Sequence, residues 1–141
     1  MVIAVDFDGT IVEHRYPRIG KPIPFAIDIL KQLQNEHHLL ILWTVREGEL
    51  LQEAIDYCKD QGLEFYAHNS NFPEEDRSKG PRKLSADLFI DDRNFGGLPD
   101  WGIIYRAINK KMAHDLAFDT DAVFEEGIRP AKVSAWKKIF K

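Results

Sequence analysis

The sequence predicts one α/β domain built around a mainly parallel sheet, and two observations carry this prediction. Short apolar runs alternate along the chain with segments whose apolar residues recur at helical spacing. The runs are continuously apolar, as is typical of parallel strands covered on both faces. Three of the runs stop on residues with side-chain oxygens: residues 2–5 precede Asp6, residues 39–43 precede Thr44, and residues 88–90 precede Asp91 and Asp92.

The elements follow one another in a regular alternation. Residues 10–24 contain prolines and glycines that exclude a long helix. Residues 24–34 and 47–61 are predicted helices because each carries its apolar side chains on one face, and Gly62 suits a left-handed helix end. The predicted strands cover residues 2–5, 39–43, 63–67, 88–90 and, at an edge, 102–105, and a last helix covers residues 130–140.

Composition limits the classes of protein to consider. The 141 residues, 44% of them hydrophobic, fit one domain over residues 1–141. A formal net charge of -4 argues against a general nucleic-acid binder, so nucleic acid is expected only as a substrate. The longest apolar run is far too short to span a membrane and no signal-like segment is seen, so a cytoplasmic protein is expected. Apolar residues of the C-terminal segment are expected to cover either a sheet edge or a second protomer. In the second case the protein would be a homo-oligomer.

The strand ends predict one site. Open α/β sheets bind ligands beyond the carboxyl ends of their strands, where the carboxylates and the Thr44 hydroxyl should meet. Clustered carboxylates repel one another unless a cation lies among them, and Mg²⁺ prefers oxygen ligands. The sequence therefore predicts a Mg²⁺ site that handles phosphate.

Asp6 and Asp8 indicate the chemistry. Alternate residues of an extended strand share a face, so both carboxylates should point the same way. Asp6 could then attack phosphorus while Asp8 moves protons to and from the ester oxygen and water. The competing interpretation, a hairpin turn at Asp8 and Gly9, does not explain why two later strands also end in oxygen-bearing residues.

The run from Asp6 to Thr10 resembles the first motif, DxDGT, of the haloacid dehalogenase superfamily of phosphohydrolases. This resemblance implies a three-layer α/β/α Rossmann-like fold with strand order 5-4-1-2-3. It also implies that Asp6 becomes an aspartyl-phosphate and that Asp8 is the general acid and base.

Later residues resemble the other motifs of the superfamily in the same order. The resemblance implies that Thr44 and Lys83 hold the phosphoryl oxygens, with Lys83 preferred to Lys79 because it leads directly into the run 88–90. Mg²⁺ would be bound by Asp6, the backbone carbonyl of Asp8 and Asp91, with Asp92 acting through water or by orienting the loop.

Two basic features have open interpretations. Arg46 either contacts the phosphate or forms a solvated ion pair next to Glu47. The segment containing His14, Arg15, Tyr16 and Arg18 matches the flap over the site in the superfamily, and it either recognises the substrate or is a solvated loop.

The chain is expected to lack a cap domain, because the segments between its motifs are filled by single predicted helices, strands and loops. An open site suits a macromolecular phosphate ester, a substrate covered by another subunit, or loosely selected small phosphate esters. The alternative to an enzyme is a receiver-like signalling module that is phosphorylated on Asp without turnover. Asp8 discriminates between the enzyme and the module, because a phosphoacceptor without an adjacent acid and base keeps its phosphate longer.

Overall fold

In the computed structural model, which describes residues 1–110, four parallel strands form one sheet. The order across the sheet is β3-β2-β1-β4. In the register of the central strand, Val2 lies opposite Leu39 and Ile3 lies opposite Leu88. The chain therefore leaves β1 to one side and later returns to its other side. The strands are β1 (Val2–Val5), β2 (Leu39–Leu42), β3 (Ala67–His68) and β4 (Leu88–Ile90).

Three helices cover one face of this sheet: α1 (Ala26–Asn35), α2 (Gly48–Asp60) and α3 (Trp101–Asn109). All three bury side chains in the same core as alternate strand residues such as Ile3 and Val5. A second cluster on the other face contains Ala4 and Leu84 and no helical residue of the described part, so the third layer of the predicted fold is not found there. Within residues 1–110, no helix is long and apolar enough to cross a membrane.

The first two predicted helices are confirmed to within two residues at each end. Gly62 has the predicted left-handed conformation, with φ 82°. The segment before α1 contains no helix, as its prolines and glycines predicted.

The third strand is shorter than the predicted residues 63–67. The N–H of Leu63 still donates to the carbonyl of Cys58 at 2.9 Å, so the chain is ending α2 at this point. The first backbone hydrogen bond to β2 comes from Tyr66, which donates to Leu40 at 2.8 Å. Pairing therefore begins only where the chain has cleared the helix end.

The predicted edge strand over residues 102–105 is wrong, because this segment belongs to α3. The side chain of Asp100 accepts from the N–H of Gly102 at 2.8 Å and caps the helix. Trp101, Ile104 and Ile108 then recur at helical spacing and are buried. The predicted order 5-4-1-2-3 is thus reduced to four described strands, which follow its 4-1-2-3 part. The helix predicted over residues 130–140 lies outside the described residues.

Candidate functional site

Three carboxylates meet at the carboxyl ends of the two neighbouring strands β1 and β4. Asp6 follows β1, and Asp91 and Asp92 follow β4, and one ligand oxygen from each lies within 4.8 Å of the others. The N–H of Asp6 donates to the carbonyl of Ile90 at 2.9 Å, which keeps the two strand ends side by side. This is the point at which the strand order reverses, where open α/β sheets form their ligand crevice. The predicted convergence of these three carboxylates is observed.

The donor set of this acidic cluster fits a hard divalent cation. Oδ1 of Asp92 is buried and has no hydrogen-bond partner. A buried, unpartnered carboxylate oxygen is costly, and a cation that prefers oxygen ligands would satisfy it while relieving the repulsion between the three acids. Asp6, Asp91 and Asp92 are therefore the residues that could hold Mg²⁺.

Thr10 joins the two halves of the cluster, and the sequence placed it in the DxDGT motif without assigning it a role. Its hydroxyl donates to Oδ2 of Asp6 at 3.2 Å and accepts from the N–H of Asp92 at 3.1 Å. Its carbonyl accepts from Nε1 of Trp101 at 3.1 Å, so α3 anchors the same turn. The hydroxyl bonded to this cluster is therefore that of Thr10, whereas the sequence predicted that of Thr44.

Gly9 allows Asp92 to approach the β1 turn. Its φ is +87°, and a Cβ built on it would lie 2.6 Å from Cγ of Asp92 and still closer to Oδ2. A side chain at this position would collide with the Asp92 carboxylate. The glycine is thus required both by the left-handed backbone and by the packing of the cluster.

Replacing Gly9 by Ala should displace Asp92 and weaken Mg²⁺ binding by about 10-fold or more, the usual effect of disturbing the surroundings of a metal ligand. Isothermal titration calorimetry with MgCl₂ measures this. Gly97→Ala is the matched control, since Gly97 also has a positive φ (+78°) but no atom within 4 Å of a built Cβ. Equal Mg²⁺ affinity in the two variants would contradict the role of Gly9.

Asp8 lies outside the acidic cluster, in a buried ion pair with Arg46. Nε of Arg46 donates to Oδ2 at 2.7 Å and Nη2 donates to Oδ1 at 2.8 Å. The side chains of Arg46 and Asp8 are 0% and 5% exposed. Asp6 and Asp8 therefore have different partners: Thr10 for Asp6 and Arg46 for Asp8.

Arg46 is enclosed by protein groups. In addition to its hydrogen bonds to Asp8, Arg46 donates from Nη2 to the carbonyl of Arg18 at 3.0 Å. Its guanidinium carbon lies 5.1 Å from the ring centroid of Phe7 and 5.3 Å from that of Tyr16. The interpretation of Arg46 as a solvated partner next to Glu47 is wrong, and the donors expected to meet a phosphate are engaged with the protein. The ion pair with Asp8 is also the main reason that the pKa of Arg46 is raised.

Asn69 holds the loop after β2, and the sequence did not assign it a role. Its Oδ1 accepts from the N–H of Thr44 at 2.8 Å and its Nδ2 donates to the carbonyl of Arg46 at 3.0 Å. The Thr44 hydroxyl accepts from the N–H of Arg46 at 3.2 Å, the local turn contact expected of a Thr at a strand end. Thr44 thus lies at the carboxyl edge of the sheet, on a loop held by the residue that follows β3.

The two candidate lysines differ in their surroundings. Nζ of Lys83 lies 5.7 Å from the ring centroid of Phe89, two residues before Asp91, and the side chain is exposed. Nζ of Lys79 lies 3.5 Å from Asp76 in an ion pair whose lysine is 82% exposed. Among the ion pairs of residues 1–110, none joins either lysine to the acidic cluster.

Burial is the largest cause that raises the pKa of Asp6, to about 7, and the negative charge of Asp91 raises it further. Hydrogen bonds from Phe7 and Thr10 lower it in part. Without a cation, the folded protein therefore keeps a proton on Asp6 at pH values at which the unfolded chain has lost it.

This difference sets the sign of a pH effect. Between the ordinary carboxyl pKa of about 4 and the folded pKa near 7, the folded state binds more protons than the unfolded state, so the contribution of Asp6 to stability is largest at low pH and is lost as the pH rises through 7. In EDTA, the melting temperature of the wild type relative to that of Asp6→Asn should fall from pH 5 to pH 8. A relative rise over that range would contradict the assignment.

Comparison with known proteins shows that the chain is similar to a solved structure from Bacteroides. No protein-family model matches the sequence, and no curated protein matches it significantly. A solved structure of a conserved protein from Bacteroides thetaiotaomicron is 68% identical in sequence, and the match covers 79% of this chain and 91% of that chain with a TM-score of 0.76.

Proposed function

We propose that this chain, which belongs to the same family as the conserved Bacteroides thetaiotaomicron protein, is a Mg²⁺-dependent phosphohydrolase that acts on phosphate monoesters. The observation that carries the proposal is the acidic cluster at the reversal point of the sheet, with the unpartnered oxygen of Asp92. The motif order that resembles the haloacid dehalogenase superfamily supports it.

Asp6, Asp91 and Asp92 would hold Mg²⁺, with the backbone carbonyl of Asp8 as a further ligand. When bound, the ion supplies positive charge that compensates the carboxylates and the phosphoryl oxygens. It would also keep Asp6 ionised by opposing the burial and the charge of Asp91 that raise the pKa of Asp6 to about 7.

The proposed reaction has two steps on the protein. An oxygen of Asp6 forms a bond to phosphorus while the ester oxygen leaves and takes a proton from Asp8, which gives an aspartyl-phosphate. Asp8 then accepts a proton from water as the water attacks phosphorus, which releases phosphate and regenerates Asp6. Both oxygens of Asp8 are bonded to Arg46 in an ion pair, so one of them must release this contact and take up a proton from solvent before the first step, and the proton gained from water in the second step restores this state.

The receiver-like alternative fits the strand order less well. Flavodoxin-like sheets, in which receiver domains are built, have the order 2-1-3-4-5, so that β1 lies between β2 and β3. In this chain β1 lies between β2 and β4. The topology therefore supports the enzyme over the signalling module.

The proposal is tested with 4-nitrophenyl phosphate. We expect steady release of phosphate with Mg²⁺, none with EDTA, and poor activity with Ca²⁺, whose larger and more flexible coordination suits in-line attack less well. Asp91→Ala should raise the Mg²⁺ concentration needed, whereas Asp28→Ala, an exposed carboxylate on α1, should not. Full activity in excess EDTA would reject the metal site, and a single slow phosphorylation by acetyl phosphate without turnover would favour the signalling module.

Lys83→Ala should lower turnover about 10²-fold or more, because the attack of a carboxylate on a phosphate needs a cationic donor to offset the negative charges. Lys79→Ala should stay near wild type, since an exposed ion pair contributes little. Steady-state kinetics of both variants at equal folding stability measures the difference. The reverse ranking would assign the role to Lys79.

A further inference from the structure

The loop over residues 13–21 is closed at its base and follows directly on the turn that carries Asp6 and Asp8. The N–H of Glu13 donates to the carbonyl of Lys21 at 2.7 Å, and Val12 pairs with Pro22. Gly20 lies so close to Glu13 that a built Cβ would be 2.8 Å from its carbonyl carbon. This packing holds the two ends of the loop together before any ligand binds.

Three exposed cationic residues of this loop line one cavity, which is open to solvent. The cavity has a volume of about 300 Å³ and is lined by Arg15, Arg18 and Lys21 together with the single acid Glu13. None of the three cations takes part in an ion pair among residues 1–110. A local excess of free positive charge in a chain of net charge -4 favours an anionic ligand.

The cavity is linked to the candidate site through Arg46. The carbonyl of Arg18 accepts from Arg46, whose guanidinium also holds Asp8 and lies against the ring of Tyr16. The loop is therefore fixed next to the proposed acid and base.

We propose that this cavity binds a second phosphate group of the substrate, so that the preferred substrate is a small bisphosphate. This inference rests on the proposed function and names its substrate class. A volume near 300 Å³ is at the lower end of small-molecule sites. A nucleic acid is the less favoured ligand, because its backbone needs an extended basic surface, whereas here the cations lie around one cavity formed by a single loop.

The test uses substrates whose leaving groups are all primary alcohols. Propane-1,3-diol monophosphate and bisphosphate, with butane and hexane homologues, are assayed against wild type and the double variant Arg15→Met/Lys21→Met. Methionine keeps an apolar stem in place of each cation. We expect kcat/KM for the best bisphosphate to exceed that of its monophosphate by about 10-fold through KM, and the double variant to lose this advantage while 4-nitrophenyl phosphate is turned over as before. Lys59→Met, which removes an exposed cation on α2, should keep the advantage.

Equal values for mono- and bisphosphates in the wild type, or an advantage that survives in the double variant, would overturn the inference and leave the proposed function intact. A stronger preference for a 5′-phosphorylated oligonucleotide that the double variant loses would also overturn it. If no ester is hydrolysed, the proposed function fails, and calorimetric titration with propane-1,3-diol bisphosphate decides on the cavity. Binding about 10-fold weaker in the double variant would support the cavity, and equal binding would reject it.

Discussion

Replacing Asp6 by Asn should abolish turnover, with a loss of about 10⁴-fold or more, because the amide lacks the carboxylate oxygen that bonds to phosphorus. Loss of folding would not explain this result. Removing one charge from the acidic cluster relieves its repulsion, and the amide has no buried carboxyl group to ionise. Steady-state release of phosphate from 4-nitrophenyl phosphate, together with thermal melting, separates the two effects.

Asp8→Asn is the matched variant two residues away. It should stall proton transfer while the nucleophile remains, so phosphoenzyme should accumulate when the leaving group is good. Intact-mass spectrometry after mixing with 4-nitrophenyl phosphate should detect one added phosphoryl group on Asp8→Asn and none on Asp6→Asn. Turnover by Asp6→Asn at the wild-type rate would reject the aspartyl-phosphate mechanism.

The position of the acidic cluster could be predicted because it depends on features that the sequence states directly. Continuous apolar runs mark buried parallel strands, and the residue after each run lies at the ligand-binding edge whatever the details of the loops. Asp6, Asp91 and Asp92 meet for this reason. The error in the predicted edge strand does not change the position of these carboxylates, because α3, which replaces that strand, begins only after β4 has ended.

The parts that the sequence missed depend on contacts between loops. The hydroxyl of Thr10 has one partner within its own motif, Asp6, and only the approach of the β4 end adds the second, the N–H of Asp92. Arg46 stands beside Glu47 in the sequence, where a charged residue is by default solvated. Its burial follows from the parallel pairing of β1 with β2, which puts the loop after Leu42 against the turn at Asp8.

The helix α3 was missed because the spacing of its apolar residues was judged over too few positions. Residues 102–105 alone are compatible with a short edge strand. The helical spacing is visible only when Trp101 and Ile108 are included, and the start signal is the cap at Asp100, one residue before. Local patterns of four residues do not separate the two structures.

Arg46→Met should destabilise the fold by about 3–5 kcal/mol, the usual cost of breaking a buried ion pair, because it leaves the Asp8 carboxylate buried without its partner. Arg46→Lys should fall between wild type and Arg46→Met, since an ammonium cannot donate two parallel hydrogen bonds to both oxygens. Urea unfolding at pH 7 measures the free energies. Lys59→Met is the control, because its ion pair with Glu64 spans 3.7 Å between side chains that are 64% and 71% exposed and should contribute less than about 1 kcal/mol.

The double variant Asp8→Asn/Arg46→Met separates the pair from the packing around it. If the cost of Arg46→Met comes from an unpaired buried charge, removing that charge should recover part of it, so the double variant should be more stable than the sum of the single losses predicts by about 0.5–3 kcal/mol. Additive losses would assign the effect to the contacts of Arg46 with Phe7 and Tyr16 instead. A loss below about 1 kcal/mol for Arg46→Met alone would place it with surface ion pairs and contradict the burial on which the argument depends.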